Sequence, residues 1–263
     1  MFLRRVLRRV VSIPRHVQRS QKHQQQVLQV EHDHRERAKR MLDFYSKFLL
    51  AGQLVFDVGA NQGHWTNVFL QLGCTVIAVE PQPECTTVLL DRFHNNANFH
   101  LVNMGLASRK GEQELLICST ANTISTMSSN WKNSVFASGR FREYSWDKTL
   151  VVPVTTLDAL ILEFELPQFC KIDVEGFEKS VLTGLSQPIP QLSFEFTYPE
   201  TYDDTIWCLG YLDKLGMSRL NYSIGESFEL AKPSWMSRSE LEDELNKYGG
   251  GMTFGDIYAS TPI

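Results

Sequence analysis

Cysteine is scarce and poorly placed for structural chemistry. The 263 residues hold only five, namely Cys74, Cys85, Cys118, Cys170 and Cys208, with no C-x-x-C pair among them. An odd, scattered set excludes a disulfide framework and offers no zinc-ribbon spacing, so the thiols read as reduced and buried, as expected of a cytoplasmic protein. Long apolar runs are also missing. No stretch approaches the roughly 18 to 20 consecutive apolar residues that cross a bilayer. The opening Met1-Phe2-Leu3-Arg4-Arg5-Val6-Leu7-Arg8-Arg9-Val10-Val11 is broken by arginines where a secretory signal needs an uninterrupted apolar centre. Among the histidines, His16, His23, His32 and His34 show no metal-ligand spacing, and His94 and His100 read as surface residues, so no metal ligand is assigned.

Positive charge is outnumbered over most of the chain. The net charge of -4 hides an arm, residues 1–40, carrying 11 Lys and Arg against 3 Asp and Glu, and an acidic remainder at net -12. An acidic body without a basic stripe is a poor binder of nucleic-acid phosphates, and no nucleic-acid partner is expected. The arm is different. Arg4, Arg5, Arg8 and Arg9 recur at helical spacing, which suits either peripheral contact with an anionic membrane surface or a basic, partly disordered extension. Residues 1–50 are therefore set apart as an N-terminal helical appendage and 51–263 as the catalytic domain, with Phe44, Tyr45, Phe48 and Leu49 marking a helix packed at the domain edge.

Beyond Gly52, short apolar runs alternate with helical stretches, the pattern of βαβ units in a parallel sheet. The expected strands are Leu54–Val58, Thr75–Glu80, Asn98–Asn103, Phe169–Val174, Leu192–Phe196, Ser218–Ser223 and Asp256–Ser260. Helices are expected at Gly63–Leu72, Glu84–Asn95, Thr156–Phe164, Gly176–Gly184 and Asp204–Leu215. Strand-like runs at Gly111–Cys118 and Val151–Val154 flank a polar insertion, Ser119–Thr149, placed where such folds cover their site. Gly249-Gly250-Gly251 reads as a turn before the last strand.

The strongest local signal is Val55-Phe56-Asp57-Val58-Gly59-Ala60-Asn61-Gln62-Gly63, a strand running through a glycine turn into a helix. Gly59 permits close backbone approach, and the helix start favours a carboxylate or phosphate. A dinucleotide turn wants G-x-G-x-x-G, but here Asn61 stands where the second glycine would admit a pyrophosphate. That weakens a nicotinamide reading and suits a cofactor without pyrophosphate, such as S-adenosylmethionine. Glu80, at the end of the second strand, sits where an acidic side chain accepts from ribose hydroxyls.

Lys171-Ile172-Asp173-Val174-Glu175-Gly176-Phe177-Glu178 again ends a strand and starts a helix at the carboxyl edge of the sheet, where ligands bind in open α/β folds. Asp173 and Glu175, two apart in an extended chain, should point the same way. Such a pair supplies a general base or holds a divalent cation, unless Glu175 only caps the helix and Asp173 only orients the cofactor. Glu195 is expected to point away from its flanking phenylalanines. His64 could reach the site but reads more readily as a solvated helix-start residue.

These strings, with Ala78-Val79-Glu80-Pro81, Val154-Thr155-Thr156-Leu157-Asp158-Ala159-Leu160 and the terminal Phe254-Gly255-Asp256-Ile257-Tyr258-Ala259, resemble the successive motifs of FkbM-type methyltransferases in order, over about Leu54 to Ala259. The resemblance implies a class I methyltransferase, Rossmann-like α/β fold: a seven-stranded, mostly parallel sheet with helices on both faces and an antiparallel last strand. It implies S-adenosyl-L-methionine as cofactor and O-methylation of a sugar, lipid or natural-product hydroxyl. By motif position Asp57, Gly59, Asn61 and Gly63 would line the methionine end, Glu80 the ribose, and Asp173 with Glu175 the edge facing the acceptor. Asp173 is the first candidate for the base and Glu195 the second, with Ser119–Thr149 encoding acceptor choice. Two alternatives stand beside this reading: an NAD(P)-dependent oxidoreductase, disfavoured by the missing glycine and the lack of a Y-x-x-x-K dyad, and a methyltransferase-like binding module without turnover.

Overall fold

The computed structural model describes residues 35–248 and 251–262. The arginine-bearing opening and the first two glycines of the Gly249-Gly250-Gly251 turn lie outside them. The chain divides into two compact units, Met1–Met41 and Leu42–Ile263. Helix α1, as described, covers residues 35–45, and no described helix is long and apolar enough to cross a membrane.

The second unit is built on a seven-stranded sheet ordered β3-β2-β1-β7-β8-β10-β9. Its strands are β1 (Leu54–Val58), β2 (Thr75–Val79), β3 (Phe99–Val102), β7 (Phe169–Ile172), β8 (Gln191–Tyr198), β9 (Arg219–Ile224) and β10 (Thr253–Ser260). The first five to pair are parallel, while β10 runs antiparallel to both β8 and β9. This is the sheet that the motif resemblance implies. A second sheet, β4-β6-β5, comprises β4 (Gly105–Leu106), β5 (Gly111–Ile117) and β6 (Lys148–Thr155). The strand-like runs expected around the insertion are thus an antiparallel pair, with Leu115 opposite Leu150.

Period-two alternation gives the main sheet two unlike faces. Phe56, Val58, Cys170, Ile172, Leu192, Phe194 and Ile257 face one way into the large core. Apolar residues of α5 (Leu157–Phe164), α6 (Glu178–Thr183), α7 (Tyr202–Lys214) and α8 (Arg238–Asn246) complete that core. The other face carries α2 (His64–Gln71) and α3 (Pro83–Phe93), with Leu89 and Phe93 packing on Ala60, Ala78 and Phe99. Phe44 and Tyr45 join this second face, edge-on to Tyr258, Phe69 and Phe169. They cover a sheet face, where a domain edge was expected.

Across that second face one register row is polar at its centre: Asp57 lies beside Lys171, Lys171 beside Ser193, and Ser193 beside Tyr258. In the row nearer the strand ends, Glu195 is paired with Asp256 and Asp256 with Ser223. Polar side chains on an otherwise covered sheet face are costly to bury, so this is where the fold concentrates chemistry.

Candidate functional site

Two turns meet at the carboxyl edge of the central strands. After β1 the chain passes through left-handed Gly59, Asn61 and Gly63, at φ 81°, 48° and 79°. The amides of Gly59 and Ala60 donate to the Val79 carbonyl, tying the turn to β2. A Cβ on Gly59 would stand 1.8 Å from the Asp173 carbonyl oxygen, and one on Gly63 2.7 Å from Leu89. Gly59 therefore serves the approach of the β1 and β7 turns to each other, and Gly63 the packing of α3. Gly63 forms the N-cap of α2 with no side-chain cap.

Glu80 is buried at the tip of β2. Asn61 N–H donates to its Oε2 at 2.8 Å and Gln82 N–H to its Oε1 at 2.8 Å. Burial pushes its carboxyl up to about 7 against those hydrogen bonds. Since a carboxylate offers about four acceptor positions, two remain for hydroxyls. Asp57 accepts from the Thr66 hydroxyl at 2.5 Å, and burial raises it to about 6. Asp57 thus fixes α2 against β1 from within and is 1% exposed.

The β7 turn departs from expectation. The strand ends at Ile172, two residues early, and Glu175 is left-handed at φ 55° ahead of Gly176 at φ 81°. Asp173 and Glu175 are brought together by this turn, not by strand alternation. Glu175 does not cap the helix. The N-cap is Phe177, with no side-chain cap, and Glu178 braces the turn instead, its Oε1 accepting from Val174 N–H at 3.0 Å and Gly176 N–H at 3.3 Å. Glu195 lies on the opposite face from Phe194 and Phe196, as alternation required. One carboxylate oxygen from each of Asp173, Glu175 and Glu195 lies within 4.8 Å of the other two. Burial, then the charge of Asp173, drives Glu175 and Glu195 well above the usual carboxylate range. The spacing admits a divalent cation as readily as shared protons, and nothing further at the site points to an ion, so no metal is assigned.

The insertion roofs this edge. It holds a 3-10 turn, Asn122–Ile124, and helix α4 (Ser129–Ser138). The Asn122 carbonyl accepts from Asn61 Nδ2 at 3.4 Å and Gln82 Nε2 at 3.3 Å, spanning the turns after β1 and β2. The Thr126 hydroxyl donates to the Glu175 carbonyl at 2.7 Å. Trp131 lies against Gly176, where a Cβ would come within 2.2 Å of the ring, and its Nε1 donates to Thr197 Oγ1 at 3.2 Å. Arg140 pairs with Glu200 at 2.9 Å and donates to the Tyr198 and Thr253 carbonyls. Asn122, Thr126, Trp131 and Arg140 carry no motif, and sequence reasoning found only the segment. Of the histidines, His94 Nδ1 lies 2.7 Å from the Leu90 carbonyl oxygen and the His100 ring lies against Phe164.

The Methyltransferase FkbM domain model matches residues 57–248. The chain belongs to the FkbM methyltransferase family. No curated protein matches it. Solved structures similar to it include a precorrin-6y C5,15-methyltransferase from Geobacter metallireducens, at 10% identity over 86% of this chain and 87% of that one, TM-score 0.43. A TehB-like SAM-dependent methyltransferase from Corynebacterium glutamicum aligns at 11% identity over 85% and 88%, TM-score 0.44. A Haemonchus contortus phosphoethanolamine N-methyltransferase 2 in complex with S-adenosyl-L-methionine aligns at 10% over 86% and 53%, TM-score 0.40.

The FkbM chain is a methyltransferase of the class I fold, with S-adenosyl-L-methionine as cofactor. Its residues fit that group. Asn61 fills the position that a pyrophosphate would need open, and Glu80 keeps acceptor capacity at the tip of β2. When bound, the cofactor supplies a methyl group on a positively charged sulfur.

Proposed function

We propose that this methyltransferase O-methylates a hydroxyl of a small molecule, a sugar, lipid or natural product, and that the carboxylates at the β7 and β8 ends handle the hydroxyl proton. The observation that carries the reading is the convergence of Asp173, Glu175 and Glu195 within 4.8 Å at the roofed edge. A neutral hydroxyl is a weak nucleophile. As its oxygen bonds to the methyl carbon and the carbon–sulfur bond breaks, the O–H proton must leave. Glu195 and Glu175 have proton affinities raised by burial and by Asp173, which makes either a stronger base once ionised. Glu195, based on β8, is the acceptor of the proton; Asp173, tied to Lys171 at 3.0 Å, is the fixed anion beside it. Asn61 and Glu80, on turns shaped by Asp57, Gly59 and Gly63, hold the cofactor, positioning its methyl group for attack. Trp131 and the 119–147 roof select the acceptor and exclude water. A membrane-surface role for the basic arm belongs to the same proposal.

The test is methyl transfer from S-adenosylmethionine to a panel of hydroxylated sugars and lipids, alongside amine and thiol acceptors. Oxygen products that fall at least a hundredfold with Glu195→Gln, with cofactor binding retained, support the assignment. Transfer to nitrogen or sulfur alone would overturn it.

A further inference from the structure

Lys171 is an unusual neighbour for a ligand site: a lysine side chain 1% exposed in a central strand. Its ammonium group lies 3.0 Å from Asp173 Oδ2, 3.2 Å from Asp256 Oδ1, and 4.6 Å from the Trp65 ring centre. Burial opposes its charge, and Asp173 and Asp256 more than restore it. The three partners come from three directions. Asp173 extends its own strand, Asp256 lies two strands away on β10, and Trp65 covers the group from α2. Asp173 is the one that reaches the site, its side chain 28% exposed against 15% for Asp256. One carboxylate therefore has Lys171 behind it and Glu175 and Glu195 in front.

We propose that Lys171 is a positioning residue that holds the Asp173 carboxylate as a fixed anion, so that the site prefers the charged sulfonium of the cofactor to the neutral thioether of its product. Without the ammonium, Asp173 would face Asp57, Glu175, Glu195 and Asp256 with no cation among the described residues in hydrogen-bond reach, and would turn away. The inference rests on S-adenosylmethionine as cofactor and is independent of the acceptor's identity.

Calorimetric titration of the full chain with S-adenosylmethionine and S-adenosylhomocysteine separates the possibilities, because the two ligands differ only in a methyl group and a charge. Structural damage weakens both alike. Loss of a bare cation near the sulfur, acting alone, would raise the preference for the sulfonium. The proposal requires the opposite: Lys171→Met lowers the preference about tenfold, ~1.4 kcal/mol at 25 °C, and adds nothing in an Asp173→Asn background. Asp173→Asn alone, a change at a partly exposed isostere, must lower the preference as well, so the idea stays open to refutation if Lys171→Met does not fold. An unchanged or increased preference in Lys171→Met, or an unchanged one in Asp173→Asn, overturns it. A wild-type protein that binds neither compound would overturn the cofactor assignment and this inference together.

Discussion

The amide of Asn61 donates to Glu80 Oε2 at 2.8 Å, across 19 residues and between the ends of the adjacent strands β1 and β2. With Gln82 N–H on the other oxygen, the carboxylate joins the ends of β1 and β2 and is held by two backbone amides. Glu80→Gln replaces one acceptor oxygen with an NH2 group, so one of the two amides loses its partner. Cofactor affinity should fall at least about tenfold, a charge-assisted hydrogen bond being worth ~1.5 to 3 kcal/mol. Titration that finds wild-type affinity would remove Glu80 from the cofactor site.

A second expectation concerns pH. Burial raises Asp57 to about 6 and both Glu80 and Glu178 to about 7. These groups bind protons more tightly in the folded chain than in the unfolded one. Between about pH 4 and 7 the native state therefore carries the extra protons, and their contribution to stability falls as pH rises. Glu178→Gln keeps the Oε1 that accepts both turn amides while removing the ionisation. It should flatten the decline by on the order of 3 kcal/mol between pH 4.5 and 7, from a shift of about 2.5 pH units. Denaturant melts across that range decide it; an unchanged slope would mean that Glu178 titrates normally.

Gly59→Ala and Gly176→Ala probe two different contacts. At Gly59 a Cβ meets the Asp173 backbone at 1.8 Å, and backbone cannot give way cheaply; at Gly176 it meets the Trp131 ring at 2.2 Å. The first should abolish cofactor binding and destabilise the fold. The second adds left-handed strain of roughly 1 to 3 kcal/mol and should unseat the roof, seen as faster amide exchange over 119–147 with cofactor binding largely kept. Equal damage by both would show that the two turns are not mechanically separate.

How much of this could be read in the sequence follows from range. Strands β1 and β7 are legible because their apolar runs end in glycine turns, β2 because its run stops at Glu80-Pro81, and simple alternation places Glu195 on its face. Asp173 and Glu175 were paired correctly for the wrong reason, since a left-handed Glu175 has no signature beyond the glycine after it. Helix α8 was missed although its capping box, Ser237 with Glu240, is written in the chain; its few apolar residues gave it no clear stripe. The hairpin nature of β5 and β6 was hidden by the 30 residues between them. Lys171 to Asp256 spans 85 residues and Arg140 to Thr253 spans 113, and no local pattern encodes such pairs.

Arg140 and Lys179 show how burial sets the worth of an ion pair. Arg140–Glu200 at 2.9 Å is nearly buried, side chains 12% and 1% exposed, whereas Lys179–Asp204 at 2.7 Å is 42% and 50% exposed. Arg140→Met strands the Glu200 carboxylate, whose pKa is lowered, after a burial effect of the opposite sign, by hydrogen bonds from Arg140 and Ser138. It also releases the Tyr198 and Thr253 carbonyls. Removing one partner of a buried pair costs about 3 to 5 kcal/mol, whereas Lys179→Ala should cost about 1 kcal/mol or less. Because Arg140 ties the roof to the ends of β8 and β10, its loss should also speed exchange over 119–147, and the Lys179 change should not. Equal effects in denaturant melts would mean that Arg140 does not hold the roof.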